Sequence, residues 1–433
     1  MIRIPRPQAP EHPESVLDPF GGDLAQDTAT LAESDTLVPY EYEELVDLPY
    51  DAGRVYRVAY LIPFDYKAAV PLDSLLKDAK SEARRQRIAE RYRLEQAEPQ
   101  SVAFLEFFQG SLLALDSLSR AGMKVDVRFY DTRKSMARTR DILNKPGMER
   151  MDLIIGPFYP FNLELVSQFA RENRIPVVTP FYGETNLIRE NPYLFQPTPT
   201  VETEYRALAR LVASHFEDNI VFVQDGDSLI HAQQDLLKEL IFDGFERFRP
   251  SEPVTFKEIE LDVINTDEII HSLRPGKKNL VVVPTRNEAL ASPLVQSLYF
   301  QLRNFDIEVV GNSAWTEFAS IDYRRYHELK LIFYSGFWKD YQDPDVVDFL
   351  RKYRKEFYSE PQINTRAGIN YGIAGYDMSF YFLSALRSKG PRFLLDLDRI
   401  SPSQVLSPYH FDRVSPQGAL KTPRCIFTNS NPT

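Results

Sequence analysis

The chain has 433 residues, of which 43% are hydrophobic and 26% charged, the composition of a globular protein that can bury a sizeable core. Its 51 Lys and Arg against 62 Asp and Glu give a formal net charge of -11, which argues against a nucleic-acid binder. The single cysteine, Cys425, excludes an intramolecular disulfide and any site built from several cysteines. No apolar run approaches the roughly 20 residues that span a bilayer, so no transmembrane helix is expected.

Residues 1–53 differ from the rest of the chain in being rich in Pro, Asp, Glu, Ser and Thr. Such a segment buries too little apolar surface to offset its ordering entropy, so we interpret it as an acidic, Pro-rich tail or linker. Its first residues have no apolar core of a secretory signal and no cysteine for a lipid anchor. An exported protein would therefore need a leader that this sequence does not contain.

Short apolar runs alternate with helical patterns from residue 54 onward. The predicted strands are 55–63, 124–130, 152–156, 175–179, 219–224, 278–284 and 307–311. Helical spacing of apolar residues predicts helices at 102–120, 163–173, 229–242, 292–304 and 368–388. Buried strands that alternate with helices form parallel sheets covered on both faces. The sequence therefore predicts an α/β fold made of doubly wound parallel sheets, with a first crossover at the proline-rich residues 191–200.

A charged helical pattern at 72–98 interrupts this alternation. Opposite charges three or four residues apart indicate a solvated insertion helix. The basic cluster Arg84-Arg85-Gln86-Arg87 leaves a second interpretation open, in which the segment docks an acidic partner.

Motifs for catalysis and cofactor binding are missing from the sequence. It contains no GxxxxGK[ST], no GxGxxG after the first strand and no GxSxG, and its six histidines have no metal-ligand spacing. We therefore expect no cofactor, no metal and no catalytic residues, so the chain is not expected to be an enzyme.

The loops that follow the predicted strands are unusually aromatic. In doubly wound sheets ligands bind at the carboxyl ends of the strands, so these loops hold the candidate ligand-binding residues. The candidates are Phe64, Asp65, Phe158, Tyr159, Thr179, Phe181, Tyr182, Asp225, Arg286 and Trp315. Two interpretations of the aromatic residues stay open: they pack between two lobes, or they line a pocket.

The order of several short motifs resembles the type I periplasmic binding proteins, in particular the leucine/isoleucine/valine-type substrate-binding proteins of ABC transporters. The motifs are 57–63, 107–115, Asp131-Thr132, 155–157, 178–180 and 371–377. The resemblance implies two Rossmann-like lobes that are joined by three crossovers and close on a ligand like a Venus flytrap. It places residues 54–199 and 338–400 in lobe 1, and residues 200–337 and 401–428 in lobe 2.

The resemblance also shows a departure. Amino-acid binders of this group follow Gly-Pro with serines, whereas here Gly156-Pro157 precedes Phe158-Tyr159-Pro160-Phe161. A free amino acid is therefore not the expected ligand.

Two functions remain open at this stage. The first is a non-catalytic receptor that binds a small molecule between its lobes and works with an ABC permease. The second is a ligand-free interaction module in cell-envelope or peptidoglycan assembly, because the sequence also resembles envelope proteins that carry this fold, some of them fused to LysM repeats. Its partner would be an envelope protein, for example one in peptidoglycan synthesis. Both functions imply a location in the periplasm or outer cell envelope.

Overall fold

The computed structural model describes residues 53–65, 81, 84–85, 99–180, 187, 191–215, 218–226, 230–248, 255–261, 266–335, 341–361, 363–364, 369–395, 409, 411–413, 420–421 and 426–429. The predicted tail lies outside these residues except for Gly53. The charged segment 72–98 also lies outside them, apart from Ser81, Arg84 and Arg85.

The described strands are numbered in chain order. They are β1 (Tyr56–Ile62), β2 (Val125–Asp131), β3 (Leu153–Ile155), β4 (Val177–Val178), β5 (Leu194–Gln196), β6 (Asn219–Asp225), β7 (Thr255–Leu261), β8 (Lys278–Val283), β9 (Asp306–Asn312), β10 (Ile332–Ser335), β11 (Ile363–Asn364), β12 (Ile369–Asn370), β13 (Asp412–Arg413), β14 (Leu420–Lys421) and β15 (Ile426–Asn429).

The described α-helices follow the same order. They are α1 (Pro99–Arg120), α2 (Met136–Leu143), α3 (Pro160–Asn173), α4 (Val201–His215), α5 (His231–Phe248), α6 (Asp267–Ser272), α7 (Glu288–Gln301), α8 (Tyr323–Glu328), α9 (Pro344–Phe357) and α10 (Tyr371–Lys389). Short 3-10 turns lie at Met148–Arg150, Ser313–Glu317 and Gly390–Leu395.

The first sheet has the strand order β13-β14-β5-β4-β3-β1-β2. All its neighbouring pairs are parallel except β13 with β14, and the register places Tyr60 between Phe129 and Ile155. Helices α1, α9 and α10 share one buried core with one face of this sheet, while α2 and α3 share another core with the opposite face. Because both faces are covered, strands such as β3 are apolar throughout.

The second sheet has the strand order β15-β10-β9-β8-β6-β7. Strands β7, β6, β8, β9 and β10 are parallel, and β15 joins the edge antiparallel to β10. Side chains of α6, α7 and α8 pack on one face, and those of α4 and α5 on the other. The predicted fold class is therefore confirmed: two doubly wound parallel sheets form two α/β lobes.

The chain passes between the two sheets three times, as the resemblance implied. It leaves the first sheet after β5, returns to the first core with α9 after β10, and enters the second sheet with β15. The last passage corrects one expectation, because residues 401–428 were assigned to lobe 2. Strands β13 and β14 belong to the first sheet, where Leu420 pairs with Phe195, so the chain crosses after Lys421. The other lobe boundaries stay predictions.

The sequence analysis did not predict several of the strands. β5 lies inside the proline-rich crossover, and β7 carries three charged residues, Lys257, Glu258 and Glu260, because it forms the sheet edge, where one side of the strand meets water. The predicted strands and helices otherwise correspond to observed elements, with ends that differ by a few residues.

Helix α1 contains a segment, Val102–Arg120, that is long and apolar enough to cross a membrane by length and composition alone. It instead packs along α10 in the first core, where Gly110 and Gly375 bring the two helix backbones together. A Cβ atom on Gly110 would lie 1.9 Å from the Gly372 carbonyl oxygen, and one on Gly375 would lie 2.0 Å from that of Phe107. The apolar character of α1 is therefore explained by its buried position in a lobe.

Candidate ligand-binding site

The carboxyl ends of the parallel strands mark the edge of each sheet where ligands bind in this type of fold. Each lobe has one such edge, and the candidate residues from the sequence divide between them. Phe64, Asp65, Phe158, Tyr159 and Thr179 follow strands of the first sheet. Asp225, Arg286 and Trp315 follow strands of the second sheet.

The ends of β1 and β2 are tied together by Asp131. Its Oδ1 atom accepts hydrogen bonds from the backbone N–H groups of Asp65, at 3.1 Å, and Arg133, at 2.9 Å. Both Asp65 and Arg133 have a positive φ, which non-glycine residues rarely adopt, so the carboxylate stabilises a costly backbone shape. Phe64 lies beside them, half-buried, with its ring edge-on to Phe108.

The aromatic residues after β3 are core side chains. Phe158 and Tyr159 are 2% and 4% exposed, and both rings pack on Phe104 of α1. They lie within the core of lobe 1 rather than between lobes, because Gly156 lets the chain turn sharply back over β1. A Cβ atom on Gly156 would lie 2.4 Å from the Leu61 carbonyl oxygen. Ligand contact by these two rings stays a prediction.

Thr179 follows β4, is buried, and donates its backbone N–H to the Phe195 carbonyl oxygen at 2.9 Å. This bond extends the sheet by one residue beyond β4. The predicted site residues Phe181 and Tyr182 lie outside the described residues.

The end of the second sheet contains a buried hydrogen-bonded group. Thr285 Oγ1 donates to Asp225 Oδ2 at 2.5 Å, and the Trp315 indole Nε1–H donates to the Thr285 carbonyl oxygen at 2.8 Å. Thr285 Oγ1 also accepts the backbone N–H of Asn287 at 3.0 Å. The structure thus brings together two residues predicted from different parts of the sequence, Asp225 and Trp315, through one threonine.

Arg286 is exposed beside this group. Its charge acts on two buried tyrosines of lobe 2, Tyr205 and Tyr334. Burial raises the pKa of Tyr205 to about 12 and raises that of Tyr334 well above its ordinary value, with the Arg286 charge opposing both shifts. Both phenols are therefore neutral at physiological pH and available only for hydrogen bonding.

Sequence analysis missed three buried amide side chains near the strand ends. They are Asn162 in the first turn of α3, Gln234 in the first turn of α5, and Gln196 at the end of β5. Each is at most 1% exposed. Both amide atoms of Asn162 and Gln234, and the Oε1 atom of Gln196, have no hydrogen-bond partner in the part of the chain that the structure describes. The sequence signal is slight: Asn162 and Gln196 are uncharged amides beside apolar residues close to a strand end, whereas Gln234 lies in a polar stretch.

Among the described residues, these three amides are buried side chains near strand ends with at least one polar atom that has no hydrogen-bond partner. A buried donor or acceptor without a partner costs roughly 1–3 kcal/mol. Two of them lie on lobe 1 and one on lobe 2, so each lobe has hydrogen-bonding capacity that its described residues do not use.

A cavity of about 280 Å³ lies elsewhere, between α1, α9 and α10 on lobe 1. Its wall includes the ion pairs of Asp116 with Arg120 and of Asp348 with Lys352. It is separate from the strand ends. Among the described residues, no three His, Cys, Asp or Glu side chains form a group that could hold a metal ion.

Comparisons with known proteins agree with the architecture. No protein-family profile matches the sequence, and no curated protein matches it. Solved structures do match. One, assigned as a branched-chain amino acid ABC transporter from Rhodospirillum rubrum, is 16% identical with a TM-score of 0.57, and the match covers 87% of this chain and 97% of that chain.

A second structure is a branched-chain amino acid ABC transporter periplasmic ligand-binding protein from Burkholderia xenovorans LB400. It is 12% identical with a TM-score of 0.52, and the match covers 86% of this chain and 90% of that chain. At such identities the likeness concerns the fold, and it extends over nearly the whole length of both structures. The chain therefore has the fold of the type I periplasmic binding proteins.

Proposed function

We propose that this protein is a non-catalytic receptor that binds a small solute between its two lobes. The fold supports the proposal because it gives each lobe one edge of strand ends, and these edges are where ligands bind in open α/β sheets. A receptor of this type needs no reacting groups, since its only output is a shift between open and closed populations.

The observation that carries the proposal is the pair of unpartnered amides Asn162 and Gln234. They lie on different lobes, each in the first turn of a helix that follows a parallel strand: α3 after β3, and α5 after β6. Each offers one acceptor and two donors that the described residues around it leave unused. A solute with hydrogen-bonding groups would satisfy both amides at once and so favour the closed form.

The chemistry of the edges indicates which solutes suit them. The groups at the strand ends are mainly amides, aromatic rings and a threonine, and the carboxylate of Asp225 is occupied by Thr285. The serines that follow Gly-Pro in amino-acid binders are replaced by the buried rings of Phe158 and Tyr159. A polar solute with amide or hydroxyl groups therefore fits better than one anchored by an α-carboxylate.

Both matched structures are described as parts of ABC transporters, one of them as periplasmic. We extend this to the chain as part of the proposal: a periplasmic location and delivery of the solute to a permease.

The test is a thermal-shift screen of the purified chain against amino acids, short peptides, sugars and muropeptides, followed by calorimetry on each compound that stabilises it. The variants Asn162→Ala and Gln234→Ala should weaken binding about tenfold each, as expected for loss of a hydrogen bond worth roughly 1–2 kcal/mol. Gln168→Ala, exposed on α3, and Gln233→Ala, half-buried on α5, are matched controls that should bind as the wild type does. Failure of every compound to stabilise the chain would contradict the proposal, and so would equal binding by all four variants.

A further inference from the structure

Gln196 lies at the point where the chain first leaves lobe 1. It is the last residue of β5, its side chain is completely buried, and residues 197–200 lead directly into α4. Its Nε2 atom donates to the Thr198 carbonyl oxygen at 3.2 Å. Its Oε1 atom has no partner among the described residues.

The orientation of this amide follows from its one contact. A carbonyl oxygen only accepts hydrogen bonds, so the atom that faces Thr198 must be the NH₂ group. The unpaired atom is therefore the acceptor, Oε1, and only a donor can satisfy it.

The residues that follow Gln196 in the sequence have few backbone N–H donors. Two of the following three residues, Pro197 and Pro199, have no backbone N–H. At the end of the neighbouring strand β4, the backbone N–H of Thr179 is already bonded to the Phe195 carbonyl oxygen. On the other side Gln196 pairs with Lys421 of β14. The acceptor thus lies at the carboxyl edge of the first sheet, between β4 and β14.

We propose that Gln196 Oε1 accepts a hydrogen bond from a donor group of the bound solute and so determines which end of the solute faces the first crossover. The inference rests on the proposed function. It assigns to this position an ammonium, amide N–H or hydroxyl group and excludes a carboxylate, whose oxygens would repel Oε1. Closure would then remove the cost of a buried unpaired acceptor as well as bind the solute.

The test uses Gln196→Met, which keeps the length of the side chain and removes both amide atoms. The control is Gln168→Met on the exposed face of α3. Two pairs of probes differ by one donor group: L-leucine with 4-methylpentanoate, and D-glucose with 2-deoxy-D-glucose. Calorimetry on wild type and both variants should show, for at least one pair, that the wild type prefers the probe with the donor at least tenfold. Gln196→Met should lose that preference, and Gln168→Met should keep it.

A second measurement needs no ligand. Gln196→Met removes the unpaired Oε1 atom but also the Nε2 hydrogen bond to the Thr198 carbonyl oxygen, so the two effects oppose each other and its urea midpoint should stay close to that of the wild type. A large drop in the midpoint, as expected when a fully bonded buried side chain is lost, would show that Gln196 is satisfied and structural, and would overturn the inference. It is also overturned if a probe binds and Gln196→Met keeps the same preference. If neither pair binds the wild type, the proposed function fails for these solute classes and the inference fails with it.

Discussion

The Oγ1 atom of Thr285 donates a 2.5 Å hydrogen bond to Oδ2 of Asp225, and both residues are almost completely buried. Asp225 is the last residue of β6, and Thr285 lies two residues after the end of the neighbouring strand β8. Their bond therefore holds together the strand edge of lobe 2 on which the candidate site depends. Asp225 is a buried carboxylate, and the free energy that its burial costs is offset by the hydrogen-bond donors around it.

Thr285→Val removes this donor at nearly constant volume, together with the acceptor of the Asn287 N–H. Leaving a buried carboxylate short of a hydrogen bond should lower the free energy of unfolding by about 2 kcal/mol. Thr266→Val is a matched control, because the Thr266 hydroxyl donates to the neutral Ser297 hydroxyl in a partly buried place. It should cost less than about 1 kcal/mol. Urea denaturation of both variants measures the difference, and equal losses would contradict the role given to Asp225.

Gly156→Ala tests the turn that follows β3. The residue has φ of 108°, and an added Cβ would lie 2.4 Å from the Leu61 carbonyl oxygen. Strain and collision together should cost more than about 3 kcal/mol. Gly276→Ala is the control for φ alone, because Gly276 has φ of 71° and open space around its Cβ position. It should cost about 1 kcal/mol. If Gly156→Ala lowers the free energy of unfolding no more than Gly276→Ala does, the backbone at this turn shifts to make room for the added Cβ atom, and the prediction is wrong.

The close packing of helices α1 and α10 gives a prediction about the stability of lobe 1. A Cβ on Gly375 would lie 2.0 Å from the Phe107 carbonyl oxygen, and Ser111 Oγ donates to the Gly375 carbonyl oxygen at 3.3 Å. Gly375→Ala should therefore push the helices apart and cost more than about 3 kcal/mol, although alanine favours a helix. Ser119→Ala on the exposed face of α1 should change the unfolding midpoint little. A Gly375→Ala protein of wild-type stability would show that the helices do not pack this closely.

The sequence was sufficient for the fold because the central strands are buried on both faces. Runs such as residues 153–155 and 280–283 are apolar for that reason, so this pattern indicates strands in the interior of a sheet. Edge strands carry no such pattern. β7 alternates charged and apolar residues, and β5 has three residues inside a proline-rich stretch, so neither was predicted.

The candidate site was predictable only in part, for a different physical reason. The positions of strand ends identify Asp65, Asp225 and Trp315, but not whether a loop side chain turns inward. The Phe158 side chain lies in the core of lobe 1. The chain passes close to β1 at Gly156, and the aromatic ring that follows is buried there. Asn162 shows in sequence only an amide beside apolar residues, because its lack of a partner among the described residues arises from the packing around it.

Tyr205 gives a prediction for alkaline pH. Burial raises its pKa from 10 to about 12, and the Glu204 charge adds to the rise. The folded protein therefore binds the phenol proton more tightly than the unfolded chain does. The contribution of this proton binding to the free energy of unfolding is fully present below pH 10. It is lost as the pH rises from 10 to 12. Two pKa units correspond to a loss of up to about 3 kcal/mol over that range.

Tyr205→Phe removes this group while keeping the ring, so its free energy of unfolding should fall less steeply than that of the wild type between pH 10 and 12. The Tyr205 charge also raises the pKa of Tyr334, so losing it weakens the dependence of Tyr334 in the same direction and adds to the difference. Tyr323→Phe, at an exposed tyrosine, should leave the wild-type slope unchanged. The measurement is urea denaturation at half-unit steps of pH. Parallel curves for Tyr205→Phe and the wild type would mean that the Tyr205 phenol ionises as freely in the folded protein as in the unfolded chain.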